Sequence, residues 1–292
     1  MLQQQRAFFK LKTEIKELKN IDNFNDHQLN VLDCWDESFQ IQYGNLDNKA
    51  GELSFKSIYS ASETLLKNKI DTLVTLPINK KAIQSKNFKF KGHTDFLSNK
   101  FLGETLMFMI HDELKLALVT EHVPVKSISK MLTKDLIQQK IDQVIYSLKN
   151  DFLIFKPKIA ILGYNPHCGD HGTMGDEDEK IIIPIIKRNL EKGILLSGPF
   201  SSDGFFGNQE YKKFDAILAI YHDQGLIPFK TLSFGKGVNF TAGLDYVRTS
   251  PDHGTAFDIA GKGLVKTTSF REALFKSRLI FLNRKSLKER AI

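Results

Sequence analysis

The sequence predicts an α/β fold built on a mostly parallel sheet that is covered on both faces. Three observations predict it. Short apolar runs rich in Val, Ile and Leu recur along the chain, stretches with helical spacing alternate with them, and nearly every apolar run ends in a polar or glycine-bearing loop. The strand candidates are residues 72–76, 116–119, 159–162 and 216–220. Helices are expected over 55–69, 134–147, 178–191 and 269–282; in the last, Phe270, Leu274, Ser277 and Phe281 recur at helical spacing.

The loops that follow the strands are Pro77-Ile78-Asn79-Lys80, Glu121-His122-Val123-Pro124, Asn165-Pro166-His167-Cys168-Gly169-Asp170 and His222-Asp223-Gln224-Gly225. Ligands of open α/β sheets bind beyond the carboxyl ends of the strands. Four such loops with side chains suited to chemistry therefore mark a site.

With 292 residues, 41% of them hydrophobic and 26% charged, the chain has the composition of an ordinary globular protein. No stretch approaches the ~20 uncharged apolar residues of a membrane span, and Lys10, Lys12, Glu14 and Lys16 interrupt the N-terminus where a signal peptide would be apolar. The expected location is the cytoplasm, with no membrane partner. The charge of +7 is spread along the chain with no basic block interleaved with aromatics, so nucleic acid is not an expected partner. Two cysteines, Cys34 and Cys168, cannot make a disulfide framework. Cys168 beside His167 reads as a small buried residue before it reads as a thiolate ligand.

Eight histidines are present, and any one alone reads as a surface or satisfied core residue. His122, His167 and His222 differ as a group, because each follows an apolar strand on one expected rim of the sheet. Three imidazoles with an open position suit a catalytic divalent ion, although such long-range spacing has none of the specificity of a compact metal motif. His27 and His111 lack this context, and His171 is ambiguous. Lys230, Asn239 and Arg248 follow the third histidine and suit an anionic phosphate or carboxylate. Lys230 sits among Leu226-Ile227-Pro228-Phe229 and Thr231-Leu232, where a cation needs a partner or a task. Gly92-His93-Thr94-Asp95 offers imidazole and hydroxyl donors at an expected helix start. Neither GxGxxG nor a P-loop is present, and Gly235-Lys236-Gly237 reads as a turn. A nucleotide cofactor thus cannot be read from local pattern.

Taken in order, the segments already quoted, together with Gly92-His93-Thr94-Asp95-Phe96-Leu97, Tyr221-His222-Asp223-Gln224-Gly225-Leu226-Ile227-Pro228-Phe229-Lys230 and Arg248-Thr249-Ser250-Pro251-Asp252-His253-Gly254-Thr255-Ala256, resemble the 4-hydroxythreonine-4-phosphate dehydrogenase family of pyridoxal phosphate biosynthesis. The likeness runs from about residue 31 to about residue 283.

The resemblance implies an isocitrate/isopropylmalate-dehydrogenase-like α/β fold in two lobes, residues 1–92 plus 249–292 forming the first and 93–248 the second. It implies a homodimer whose site is shared between subunits, with NAD (or NADP) as cofactor and one divalent ion, Zn, Co, Mg, Mn or Ni, held by His122, His167 and His222. Substrate contacts would fall to His93, Thr94, Lys230, Asn239 and Arg248. Lys230, Asp223 and Asp203 would be the catalytic candidates, with the proton carried by Lys230 or Asp223. The implied reaction oxidises 4-hydroxy-L-threonine 4-phosphate to a 2-amino-3-oxo acid that decarboxylates to 3-amino-2-oxopropyl phosphate. A dehydrogenase of four-carbon sugar-acid phosphates, or a non-redox phosphate- and metal-binding homologue, would use much the same groups. Family members normally open with an apolar strand and a Gly-Asp-x-x-Gly-Ile-Gly-x-Glu-like loop. This chain opens with Met1-Leu2-Gln3-Gln4-Gln5 and a helical stretch, so the expectation is either a start internal to a longer natural chain, which the retained ligand set favours, or a shortened and impaired relative.

Overall fold

The structure, a computed structural model, describes residues 1–101, 103–112 and 114–290. The last two positions of the expected first lobe thus lie outside the described residues. The strands are β1 (Ile15–Leu18), β2 (Leu29–Leu32), β3 (Thr72–Val74), β4 (Leu106–His111), β5 (Leu114–Leu118), β6 (Lys158–Leu162), β7 (Leu195–Phe200), β8 (Ala216–Ala219), β9 (Val238–Ala242) and β10 (Val247–Pro251). The helices are α1 (Leu2–Phe8), α2 (Asn48–Leu66), α3 (His93–Phe101), α4 (Ile128–Met131), α5 (Lys134–Asp151), α6 (Ile183–Glu191), α7 (Ser202–Gly207), α8 (His222–Ser233) and α9 (Thr268–Arg290). All four expected strands and all four expected helices are present; the expected helix over 178–191 opens with a π-helical turn, Asp178–Ile182, before α6.

Eight strands form one sheet in the order β3-β10-β9-β4-β5-β8-β6-β7, and β1 pairs with β2 separately. The block β5-β8-β6-β7 is parallel throughout, as is the pair β3 and β10. Antiparallel pairings of β10 with β9, β9 with β4, and β4 with β5 join the two parallel parts. The expected lobe boundary at 248/249 falls inside β10.

Alternation sorts the two faces of the sheet. Leu116 and Leu118 of β5 point to one core with Met107, Met109, Ala160, Ile217, Leu226 and Phe229, under α8. Ala117 and Val119 point to the other with Phe108, Phe240, Ile161 and Leu218, under α5, α6 and α9. Helix α5 buries Ile137, Ile141, Val144 and Leu148 at i, i+4, i+7 and i+11, and the Thr133 hydroxyl caps it by accepting Leu136 N–H at 3.2 Å. A third cluster, with Ile58, Leu65, Leu73, Phe88, Phe96 and Leu97, joins α2 and α3 to β3. Helix α2 is capped by Asp47, which accepts from Lys49 and Ala50 N–H. Its Gly51 lies against the backbone of Ala82, leaving no room for a Cβ. No helix among the described residues is long and apolar enough to cross a membrane.

Candidate active site

Parallel neighbours release their chains at the same edge, so the loops after β5, β8, β6 and β7 emerge side by side. They carry His122, His222 with Asp223, His167, and Asp203. Beyond the last ladder residues, Val119 N–H donates to Ala219 O at 2.8 Å, and the Thr120 N–H and hydroxyl both donate to Ile220 O, at 3.1 and 2.8 Å. These bonds tie the ends of β5 and β8 together and bring the His122 and His222 rings to 5.5 Å between centroids.

His222 begins α8, and its Nδ1 lies 2.7 Å from the Asp223 carboxylate. A proton on Nδ1 shared with that carboxylate leaves the Nε2 lone pair free for a cation. Partial burial lowers the His122 pKa, aided by the charges of Lys80 and His222 and opposed by Glu121. The neutral, ligating form of the ring is therefore favoured.

His167 stands apart from this pair. It is exposed and lies in a run of left-handed residues, with φ of 51° at His167, 54° at Cys168, 83° at Gly169, 43° at Asp170, 53° at His171 and 88° at Gly172. Non-glycine residues in this region cost about 1 kcal/mol each, so the turn needs an anchor. Buried Asp178 supplies one by accepting the N–H groups of Tyr164 and Asn165 at 2.7 and 2.9 Å. Across the loop, Asp203 is held below its ordinary pKa first by the Ser201 hydroxyl at 2.6 Å and Gly204 N–H, and more weakly by His167. Burial, then Asp178 and Asp203, push the Cys168 thiol up to about 11, so it stays protonated. Among the described residues no three His, Cys, Asp or Glu side chains are arranged to hold one metal ion. The donor set His122–His222, with Asp223 on the second ring, fits a divalent ion as part of its ligand shell.

The second half of the site lies on the sheet face that α8 covers. Asn239 and Thr241 on β9 pair with Met109 and Met107 of that face, and Ser250 on β10 lies opposite Asn239. Arg248 is 2% exposed; Nε and Nη2 donate to the Thr75 hydroxyl at 3.0 and 2.6 Å, and Nη1 donates to Thr241 Oγ1 at 2.9 Å. Burial lowers its pKa to about 10, which leaves it a cation, and none of the ion pairs among the described residues includes it. His93 and Thr94 open α3. Burial, then the charge of Arg248, pulls His93 down to about 3, so it is neutral. Its Nε2 and the side-chain oxygen of Asn239 are both buried without a hydrogen-bond partner.

Lys230 lies two turns along α8 from His222. Its partner is Asp252, 3.3 Å away, whose pKa burial raises against the opposing pull of Lys230. The chain thus forms an imidazole pair at its strand ends and a buried polar cluster of Arg248, His93 and Asn239, with His167 near Asp203 and Lys230 bound to Asp252. Sequence reasoning missed Thr75, Thr241 and Asp252; Asp252 stands inside the quoted Arg248–Ala256 segment, whereas the threonines carry no signal beyond their position in strands. Gly235-Lys236-Gly237 is a turn, as expected, with Lys236 N–H donating to Ser233 O at 2.9 Å. A further cavity of about 380 Å³ lies between Pro77-Ile78-Asn79, the start of α2 and the segment Thr255 to Ala260.

A mixed α/β sheet with imidazoles gathered at its strand ends, and a buried guanidinium outside every ion pair of the described residues, is an arrangement that enzymes use to bind ligands beyond their strand ends. The chain belongs to the pyridoxal phosphate biosynthetic protein PdxA family, whose model matches residues 1–276. It is 46% identical over 261 residues to the 4-hydroxythreonine-4-phosphate dehydrogenase of Bacteroides thetaiotaomicron, covering 88% of this chain and 71% of that one. It is 41% identical to the enzyme of the same name from Sulfurihydrogenibium sp., covering 89% and 80%. The crystal structure of 4-hydroxythreonine-4-phosphate dehydrogenase from Klebsiella pneumoniae superposes with a TM-score of 0.78 at 30% identity, over 97% of this chain and 87% of that one. The family consists of oxidoreductases of pyridoxine phosphate biosynthesis, and this chain is one of them.

Proposed function

We propose that the chain oxidises 4-hydroxy-L-threonine 4-phosphate with NAD or NADP, in the cytoplasm, and that the product loses CO₂ to give 3-amino-2-oxopropyl phosphate. The observation that carries this reading is Arg248: fully buried, held by two threonine hydroxyls, and without a carboxylate. A buried cation of this kind is costly until an anion joins it. The unpaired His93 Nε2 can donate to the phosphate when it carries the ring proton, and the unpaired Asn239 side-chain oxygen can accept from a hydroxyl or ammonium group of the substrate. Thr94, at the start of α3, adds a hydroxyl, and Lys230 a second cation once the ligand competes with Asp252.

His122 and His222 would hold the divalent ion, with Asp223 fixing the second ring. A bound nicotinamide would supply the hydride acceptor for the carbinol carbon, and a bound ion would supply charge to stabilise the oxygen that loses its proton. Asp223 or Lys230 takes that proton. His167 keeps company with Asp203 in its own chain, so His167 from a second copy would complete the ligand set in a homodimer with shared sites. The test is NADH formation from 4-hydroxythreonine 4-phosphate, with and without added Zn²⁺, Co²⁺ or Mg²⁺, beside a four-carbon hydroxy-acid phosphate lacking the amino group. Turnover of the first substrate that depends on the ion supports the reading. Turnover of the second alone, or phosphate-ligand binding without any NADH, overturns it.

A further inference from the structure

Gln224, in the first turn of α8, binds the ends of three strands with one side-chain amide. Its Oε1 accepts Ile220 N–H at 2.6 Å, and its Nε2 donates to Gly163 O at 2.5 Å and to the Ser202 hydroxyl at 2.9 Å. Ile220 follows β8 and leads into His222. Gly163 follows β6, four residues before His167, and Ser202 follows β7 and adjoins Asp203. All three groups lie past the last ladder residue of their strands, where only single backbone bonds such as Gly163 N–H to Phe200 O at 2.8 Å continue the sheet. The Ile220 carbonyl is already held by Thr120 from the His122 loop, so four loops meet around this amide.

We propose that Gln224 is a positioning residue that sets divalent-ion affinity by holding the loop of His222 in register, together with the loops of Asp203 and of the His167 that would serve the site of a second copy. The inference rests on the metal reading given under Proposed function. Only glutamine among residues of this length offers one acceptor and two donors. Glutamate could accept from Ile220 but could not donate to Gly163 O or to Ser202, and leucine could do neither. Helix α8 packs closely on β5 at this point. At the next residue, Gly225, a Cβ would stand 2.6 Å from Leu116 Cδ2 and 2.9 Å from Leu118 Cδ2.

The test compares the intact wild-type chain with Gln224→Glu and Gln224→Leu, reading Co²⁺ binding by calorimetry, thermal unfolding, and hydrogen exchange at the Ile220 amide. Groups that orient metal ligands change metal affinity by roughly ten- to hundred-fold. Both variants are expected to lose that much Co²⁺ affinity while remaining folded. Ile220 protection should survive in Gln224→Glu and vanish in Gln224→Leu. Folded variants that bind Co²⁺ within twofold of wild type would overturn the proposal. Should both unfold, Ser202→Ala removes one arm alone, and an expected loss of about threefold in affinity follows from one hydrogen bond; an unchanged affinity there would overturn it equally. A wild-type chain that binds no Co²⁺ would instead overturn the metal reading beneath it.

Discussion

Arg248 holds the Thr75 hydroxyl with two of its nitrogens, Nε at 3.0 Å and Nη2 at 2.6 Å, joining the middle of β10 to the end of β3. The bonds orient the guanidinium without neutralising it, and burial keeps water from doing so. Aim and unmet charge together are what the proposed role of Arg248, receiving the substrate's anion, requires.

Replacing Arg248 with Met should therefore separate binding from stability. A charge-assisted contact to the phosphate is worth roughly 1.5–3 kcal/mol, so KM for the phosphorylated substrate should rise about ten- to hundred-fold. The ligand-free protein should lose little stability, because removing an unpaired buried charge offsets the lost threonine bonds. Steady-state kinetics and thermal unfolding check both. An unchanged KM would place the phosphate elsewhere.

Protonation of His93 gives a second prediction. Its folded-state pKa is depressed from 6.5 to about 3, first by burial and then by Arg248. In the unfolded chain the ring takes up its proton near 6.5, so between these values the unfolded state binds more protons. The stability contributed by neutral His93 is complete above pH 6.5 and is lost as pH falls toward about 3. His93→Gln should therefore show a shallower fall of melting temperature across that window. A bound phosphate ligand, by offsetting Arg248, should raise the His93 pKa in an NMR titration. Parallel stability curves, or a ring that titrates normally in the free protein, would contradict this.

Asp223 has two candidate tasks that one variant distinguishes. Its carboxylate sits 2.7 Å from His222 Nδ1. If it orients the ring, Asp223→Asn should weaken divalent-ion binding by roughly tenfold. If it serves only as the base, kcat should fall while ion binding measured by calorimetry stays put.

The legible parts of the fold were those whose residues obey a single demand. β6 and β8 are buried on both faces, so they read as unbroken apolar runs, and α5 repeats its buried Ile and Val at helical spacing. β9 and β10 do not read as unbroken apolar runs, because polar Asn239, Thr241, Arg248 and Ser250 alternate along them with core residues. The antiparallel joint they form was hidden for the same reason. Within the site, the imidazoles and Arg248 were visible as chemistry-bearing types at strand ends. Their supports were not: Thr75 lies 173 residues from Arg248, and Asp252 meets Lys230 only through the folded chain. Gln224 stood in a recognisable motif, yet its three bonds depend on strand order β8-β6-β7, which spacing along the chain does not encode.

The most direct measurement is the activity of a purified mixed dimer, one subunit carrying His167→Ala and the other His222→Ala, isolated with two different tags. If His122 and His222 of one chain share an ion with His167 of the other, one of the two sites in this dimer is intact. About half the wild-type rate of NADH formation should then appear, as the symmetry of a two-site dimer requires, although each variant alone is inactive. A mixed dimer as inactive as its parents would contradict the shared site, and with it the proposed path from these imidazoles to the reaction.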